Sequence, residues 1–302
     1  MLLCVAMSML VLSGVPESII DGLKSAGVRV VMPYTKIFPD GEQYIRIEEE
    51  VDSCIVLQSM YPEQDRRFIE LYLALEALRG LNAKCIGVIV LYLAYARQDK
   101  RFLRGEPISI YALMQPLKLL GIDRVGVIDV HSESSLRNLG LEVLNVLPHK
   151  YMIEKSGIKV EFVLAPDKGA LARAKAAAEG LGIPYDNLEK FRDRITGEIT
   201  MKEKRLDVAG KTVAIVDDIV STGGTLAKAI ENLYKLGASK VYAVVSHALL
   251  VGNAIEKLER SGIEELITLN TVRHRELPKW VRVVDCTELV LDIAKELGYR
   301  SV

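Results

Sequence analysis

Short apolar runs alternate along the chain with stretches whose apolar positions recur at three- and four-residue spacing. Cys54-Ile55-Val56-Leu57, Val125-Gly126-Val127-Ile128, Phe162-Val163-Leu164-Ala165 and Val213-Ala214-Ile215-Val216 have the length and the small or β-branched content of strands covered on both faces. Glu17 to Ala26, Arg67 to Gly80, Ala170 to Gly180 and Glu288 to Leu297 carry the helical spacing. This alternation predicts βαβ units and parallel sheets flanked by helices, an α/β protein. Three landmarks recur in order. Cys54–Leu57 with its helix parallels Phe162–Ala165 with its helix, the charged stretches 94–106 and 187–198 follow, and Val125–Asp129 parallels Thr212–Asp217. Unequal spacings leave the duplication inferred, with a seam at Leu147 to Tyr151, where Pro148 interrupts the pattern.

The stretch Lys211 to Thr225, KTVAIVDDIVSTGGT, joins an apolar strand to a small-residue turn that opens a helix carrying Leu226, Ala229, Ile230 and Leu233 at helical spacing. Helix N-termini present free N–H groups and a favourable dipole. Gly223 and Gly224 allow close approach of an anion, and Ser221, Thr222 and Thr225 add hydroxyl donors. Asp217 and Asp218 are acceptors suited to two ribose hydroxyls, or to one hydroxyl and a magnesium ion. The bland alternative is a strand-turn-helix with Thr225 as its cap and both acids solvated.

Composition narrows the partners. The 302 residues accommodate two domains, and a net charge of -1 gives no electrostatic footprint for nucleic acid or an anionic membrane. Four scattered cysteines without a C-x-x-C pair indicate neither a disulfide framework nor a zinc site and fit a reducing cytoplasm. The opening MLLCVAMSMLVLSGV reads as a first strand too short to span a bilayer, with Met7 and Met9 as alternative starts.

Two further strings suit a nucleotide. Phe38-Pro39-Asp40-Gly41-Glu42 lies between the apolar runs 28–31 and 43–47 and is predicted to be an exposed loop. Phe38 can stack on a base, and Asp40 and Glu42 can accept from an amine or a hydroxyl, although Pro39 and Gly41 also suit an ordinary turn. Arg97, Lys100, Arg101 and Arg104, beside Gln98, form a cationic loop fit for a triphosphate or simply for solvent. His131 and Asp167 each follow a predicted strand, where a hard oxygen such as Asp167 suits magnesium. Lys190-Phe191-Arg192 falls where neither periodicity holds and reads as a mobile flap able to bring two cations over a transferred group.

VDDIVSTGGT resembles the phosphoribosyl pyrophosphate motif shared by phosphoribosyltransferases and ribose-phosphate pyrophosphokinases. Phe38 to Glu42 and Tyr95 to Arg101 resemble the two ATP-binding segments of the pyrophosphokinases, which the transferases lack, so the chain is similar to that family, in an archaeal-like form. The resemblance implies two tandem phosphoribosyltransferase-type domains, 1–147 for ATP and 148–302 for ribose 5-phosphate, with the last helix, about 288–302, returning to the first. It implies transfer of the β,γ-diphosphate of ATP to O1 of ribose 5-phosphate, giving phosphoribosyl pyrophosphate and AMP for nucleotide biosynthesis. Phe38, Asp40, Gly41, Glu42, Arg97 and Gln98 would hold ATP. Asp217, Asp218, Ser221 to Thr225 and Arg192 would hold ribose 5-phosphate, and Lys190, Arg192 and His131 would be catalytic. His131 and Asp167 would hold Mg2+. The family also implies a homo-oligomer, dimer or higher, and residence in the cytoplasm. Two departures stand out: Ser221 replaces an acid common in bacterial members, and SESSLRNLG lacks the Gln-Gly-Phe-Phe wording of members regulated by phosphate and ADP. A phosphoribosyltransferase and a non-catalytic homologue remain the rival readings.

Overall fold

The computed structural model describes residues 7–188, 190–192, 199–201, 206–274 and 276–300. They divide into two compact units. The first comprises residues 7–146, Asn270–Arg273 and 285–300, and the second Leu147–Leu269 and His274–Val284.

The first unit begins β1 (Ser8–Val11), α1 (Glu17–Ser25), β2 (Arg29–Val31), β3 (Tyr34–Ile37), β4 (Gln43–Arg46), β5 (Ser53–Gln58) and α2 (Gln64–Gly80). It continues with β6 (Lys84–Val90), α3 (Ser109–Leu119), β7 (Arg124–Ile128), α4 (Glu133–Asn138) and β8 (Glu142–Val146). The second contains α5 (His149–Ser156), β9 (Phe162–Ala165), α6 (Leu171–Leu181), β10 (Tyr185–Asn187), β11 (Lys190–Arg192), β12 (Ile199–Met201) and β13 (Thr212–Val220). It is completed by α7 (Gly224–Lys235), β14 (Lys240–Ala248), α8 (Ala254–Arg260), β15 (Glu265–Leu269) and β16 (Val281–Val284), after which α9 (Thr287–Leu297) belongs to the first unit.

Each unit is built on a six-stranded parallel sheet, ordered β2-β1-β5-β6-β7-β8 in the first and β10-β9-β13-β14-β15-β16 in the second. The α/β class and the two units built on parallel sheets agree with the expectation. The internal correspondence does not. By sheet position β1 matches β9 and β5 matches β13, so Cys54–Leu57 is the counterpart of the Asp217 strand rather than of Phe162–Ala165. A βαβ alternation looks alike after a shift of one unit, and only the pairing order fixes its register.

Two stretches without a predicted strand form one. Tyr34 to Ile37, exposed throughout, forms a strand paired antiparallel with β4, so the exposed Phe38 loop is the tip of a hairpin. Lys190 to Arg192 pairs antiparallel with Ile199 to Met201, with Lys190 opposite Met201, where no strand pattern is visible.

Burial follows the apolar periodicity. Val213 to Val216 are fully buried at the centre of the second sheet, and Val213 and Ile215 share a core cluster with Leu226, Ile230 and Leu233 of α7. In the first unit α9 seats Ile293 and Leu297 on a strip without side chains, since a Cβ at Gly126 would lie 2.2 Å from Ile293 and one at Gly87 3.3 Å from Leu297. Arg124 donates to the carbonyls of Leu297 (2.6 Å) and Glu296 (3.0 Å), satisfying the end of that helix. Burial of each such large aliphatic side chain is worth about 1.5–3 kcal/mol.

Candidate active site

Strands of a parallel sheet end on one edge, where α/β proteins bind ligands. In the second unit that edge carries Asp167 after β9, Asp217 and Asp218 late in β13, and the Ser221–Thr225 turn. Apolar side chains buried on both faces of β13 hold it centrally, and the strand reaches its acids before the chain turns. Asp217 is half-buried and Asp218 only 4% exposed. The Asp217 carboxylate accepts the Asp218 N–H at 3.0 Å, and the Asp217 carbonyl meets a ring nitrogen of buried His149 at 2.9 Å. Asp218 faces the guanidinium of Arg173 at 3.5 Å, both side chains being buried. Burial, then the adjoining Asp218 carboxylate, raises the Asp217 carboxyl well above the usual carboxylate range, against the opposing pull of Arg173.

The turn is held from the neighbouring strand's end, where Leu249 N–H donates to Val220 O at 2.8 Å and Val251 N–H to Ser221 O at 3.0 Å. Gly223 caps α7 at φ +72°, a left-handed conformation costly to any other residue there. A Cβ on it would sit 3.3 Å from the Ala254 carbonyl, whereas the space beside Gly224 is open. The opening N–H groups of α7 therefore point from a half-exposed, glycine-bared turn. Asp167 caps its own turn, accepting from Gly169 N–H at 2.9 Å and Ala170 N–H at 3.3 Å. Asp167 also acts electrostatically on Asp217, so the two acids share the edge.

In the first unit Phe38, 37% exposed, tips the β3–β4 hairpin beside exposed Asp40, Gly41 and Glu42. Phe38 N–H donates to Glu42 O at 2.8 Å, Asp40 accepts from Glu42 N–H at 3.2 Å, and Lys36 lies 4.5 Å over the Phe38 ring. The tip is thus preshaped with an aromatic face outward. Arg97 is exposed in the loop after β6, and Gln98 is fixed by the Ser109 hydroxyl at 2.8 Å. His131 is exposed just past β7, and the preceding N–H, of Val130, donates to Asn145 at 3.1 Å. Of the flap, Lys190 and Arg192 lie on β11.

The structure thus gathers Asp167, Asp217, Asp218 and the glycine turn on one sheet edge, and adds Arg173 and His149, which sequence reasoning missed. Arg173 had a visible signal, a charge on the buried stripe of Ala170, Ala174 and Ala177. His149 had none, since its contact with Asp217 spans 68 residues. Among the described residues no three His, Cys, Asp or Glu gather as metal ligands, and no helix is long and apolar enough to cross a membrane.

Two parallel units, one ending its third strand in an acid pair and a glycine turn, define a protein of the phosphoribosyltransferase type, and residues 150–282 match the phosphoribosyl transferase domain. Residues 14–121 match the N-terminal domain of ribose phosphate pyrophosphokinase. The ribose-phosphate pyrophosphokinase of Sulfurisphaera tokodaii is 45% identical, over 84% of this chain and 89% of that one. That of Pyrococcus furiosus is 45% identical over 78% and 85%. The crystal structure of phosphoribosylpyrophosphate synthetase from Mycobacterium smegmatis superposes with a TM-score of 0.84 at 27% identity, covering 97% of this chain and 99% of that one. The chain belongs to the ribose-phosphate pyrophosphokinase family.

Proposed function

We propose that the chain carries out its family's reaction, transfer of the β,γ-diphosphate of ATP to O1 of ribose 5-phosphate, with the labour divided between its halves. The observation that carries this reading is the glycine-bared turn at the end of β13, directly after two acids. The Ser221–Thr225 turn holds the 5-phosphate through N–H groups and hydroxyls, and Asp217 and Asp218 accept from the ribose hydroxyls. Residues 148–302 are the ribose 5-phosphate half and 1–147 the ATP half. Phe38 stacks on adenine, Asp40 and Glu42 accept from the base or its ribose, and Arg97 and Gln98 contact the phosphates. The family fits ATP and ribose 5-phosphate as substrates of a kinase feeding nucleotide biosynthesis.

Attack by O1 on the β-phosphorus displaces AMP and spreads charge over the transferred group. Alignment and cations lower such a barrier more than covalent help does. Lys190 and Arg192 supply cations, with Arg192 on substrate phosphate. Asp167 offers the hard oxygen that magnesium prefers, and Asp167 and His131 are the residues that would hold the ion. It would supply neutralisation of diphosphate charge. Cytoplasmic residence and a homo-oligomer complete the reading, which involves neither nucleic acid nor membrane.

The test measures AMP released from ATP and ribose 5-phosphate with magnesium. Lys190→Ala is expected to lose about 100-fold or more in turnover while calorimetry shows ribose 5-phosphate still bound. An intact chain that binds both substrates and forms no AMP would favour the non-catalytic reading. Transfer of the phosphoribosyl group from phosphoribosyl pyrophosphate to a nucleobase, with release of pyrophosphate, would favour a phosphoribosyltransferase.

A further inference from the structure

We infer that Arg173, on the buried face of α6, is a positioning residue for ribose 5-phosphate that ties the acid pair of β13 to the turn after β9. This rests on the reading of the second unit as the ribose 5-phosphate half. Arg173 is 6% exposed, and both arms of its guanidinium are turned to groups of the protein. One arm of its guanidinium lies 3.5 Å from the Asp218 carboxylate and the other 3.5 Å from the Gly169 carbonyl. Gly169 in turn donates its N–H to Asp167 at 2.9 Å. A continuous chain, Asp218 to Arg173 to Gly169 to Asp167, therefore joins the ligand-bearing ends of two neighbouring strands, beyond their paired residues Ile215 and Leu164.

The chemistry favours a geometric role. A buried ion pair adds little stability over well-packed apolar side chains, so its value lies in fixing arrangement. Arg173 also opposes the mutual repulsion of Asp217 and Asp218, two carboxylates that must stay in place before a ligand arrives. A planar fork holds two acceptors in a fixed geometry that a compact ammonium, with three rotatable donors, does not impose.

The experiment is calorimetry of ribose 5-phosphate and, separately, of ATP on the full chain, beside turnover and circular dichroism. Arg173→Gln is expected to weaken ribose 5-phosphate binding about tenfold or more, with ATP affinity within about twofold and helical signal preserved. Arg173→Lys, which keeps the charge and loses the fork, should fall between, about threefold weaker. Unchanged ribose 5-phosphate affinity in a folded Arg173→Gln overturns the inference, as does equal loss for both substrates. Should Arg173→Gln fail to fold, Arg173→Lys decides on the same criterion. An intact chain that binds ribose 5-phosphate but releases no AMP would unseat the reaction alone. One that binds none would unseat the site and Arg173 together.

Discussion

The same two loops, after the second and third strands of each sheet in spatial order, are stitched together by a side-chain amide in the first unit, whereas in the second they are joined at depth through Arg173 beneath an open-sided glycine turn. In the first, the Gln58 side chain accepts from Gly14 N–H at 3.2 Å and Ser59 N–H at 2.9 Å while its amide donates to Glu70 at 3.0 Å. Gly14 is packed so closely that a Cβ would lie 1.9 Å from the Ser59 carbonyl. Arg67 pairs with Glu63 and Glu70 and donates to Ser13 across the same junction. The second unit puts Asp218 and Arg173 at the comparable edge, and an open-sided Gly224 opens its helix. Even the caps rhyme, with Glu63 at φ +67° before α2 and Gly223 at φ +72° before α7. One scaffold thus yields a rigid seam or a binding edge according to whether a side-chain amide bridges the two loops or an open-sided glycine begins the helix.

Filling the open turn tests this contrast most severely. Gly223→Val, strained at positive φ and pressed on the Ala254 carbonyl, should cost about 100-fold or more in kcat/KM, read by AMP release. Unsealing the closed junction should act on stability instead. Gln58→Ala strands buried partners and should lower unfolding free energy by about 2–4 kcal/mol in denaturant melts, with ribose 5-phosphate affinity unchanged. A matching loss of that affinity would mean the seam is not merely structural.

The hairpin tip offers a milder probe. Phe38→Ala should raise the KM for ATP about tenfold and leave stability within about 0.5 kcal/mol, because the ring is only partly covered. The smallest effect concerns thiols. Cys54, Cys85 and Cys286 all lie in the first unit. A hydrogen bond with Cys85, then burial, holds the Cys54 thiol far above its ordinary value, burial does the same to Cys286, and the bond from Cys54 lowers half-buried Cys85. Native alkylation at pH 8 should therefore modify Cys85 ahead of the other two. Mass spectrometry should show Cys54 and Cys286 labelled only on unfolding, at a rate indifferent to ribose 5-phosphate.

What could be read from residues alone was contiguous. The buried run Val213–Val216, its acids and its glycine turn occupy one stretch of chain, and strand, turn and helix each declare themselves by period and composition. Exposed Tyr34–Ile37 escaped because it owes its existence to an antiparallel partner rather than to a buried face, and Lys190–Arg192 with Ile199–Met201 escaped because three residues are too few to show a period. The pairing of the halves was misaligned for a related reason, since alternation sets the rhythm and long-range pairing sets the phase. Arg173 and His149 belong to the same class of information: a buried cation finds its acid 45 positions along, a separation no local pattern encodes.

The bare strip at Gly87 and Gly126 carries a consequence for biosynthesis. Its covering helix, α9, follows β16, the last strand of the second unit. A ribosome therefore releases the first unit's sheet early but supplies its covering helix only after the second unit has been made. Vectorial synthesis reverses here: the half that emerges first is the last to close, and a nascent chain stalled before Thr287 would leave an oily furrow bare to chaperones.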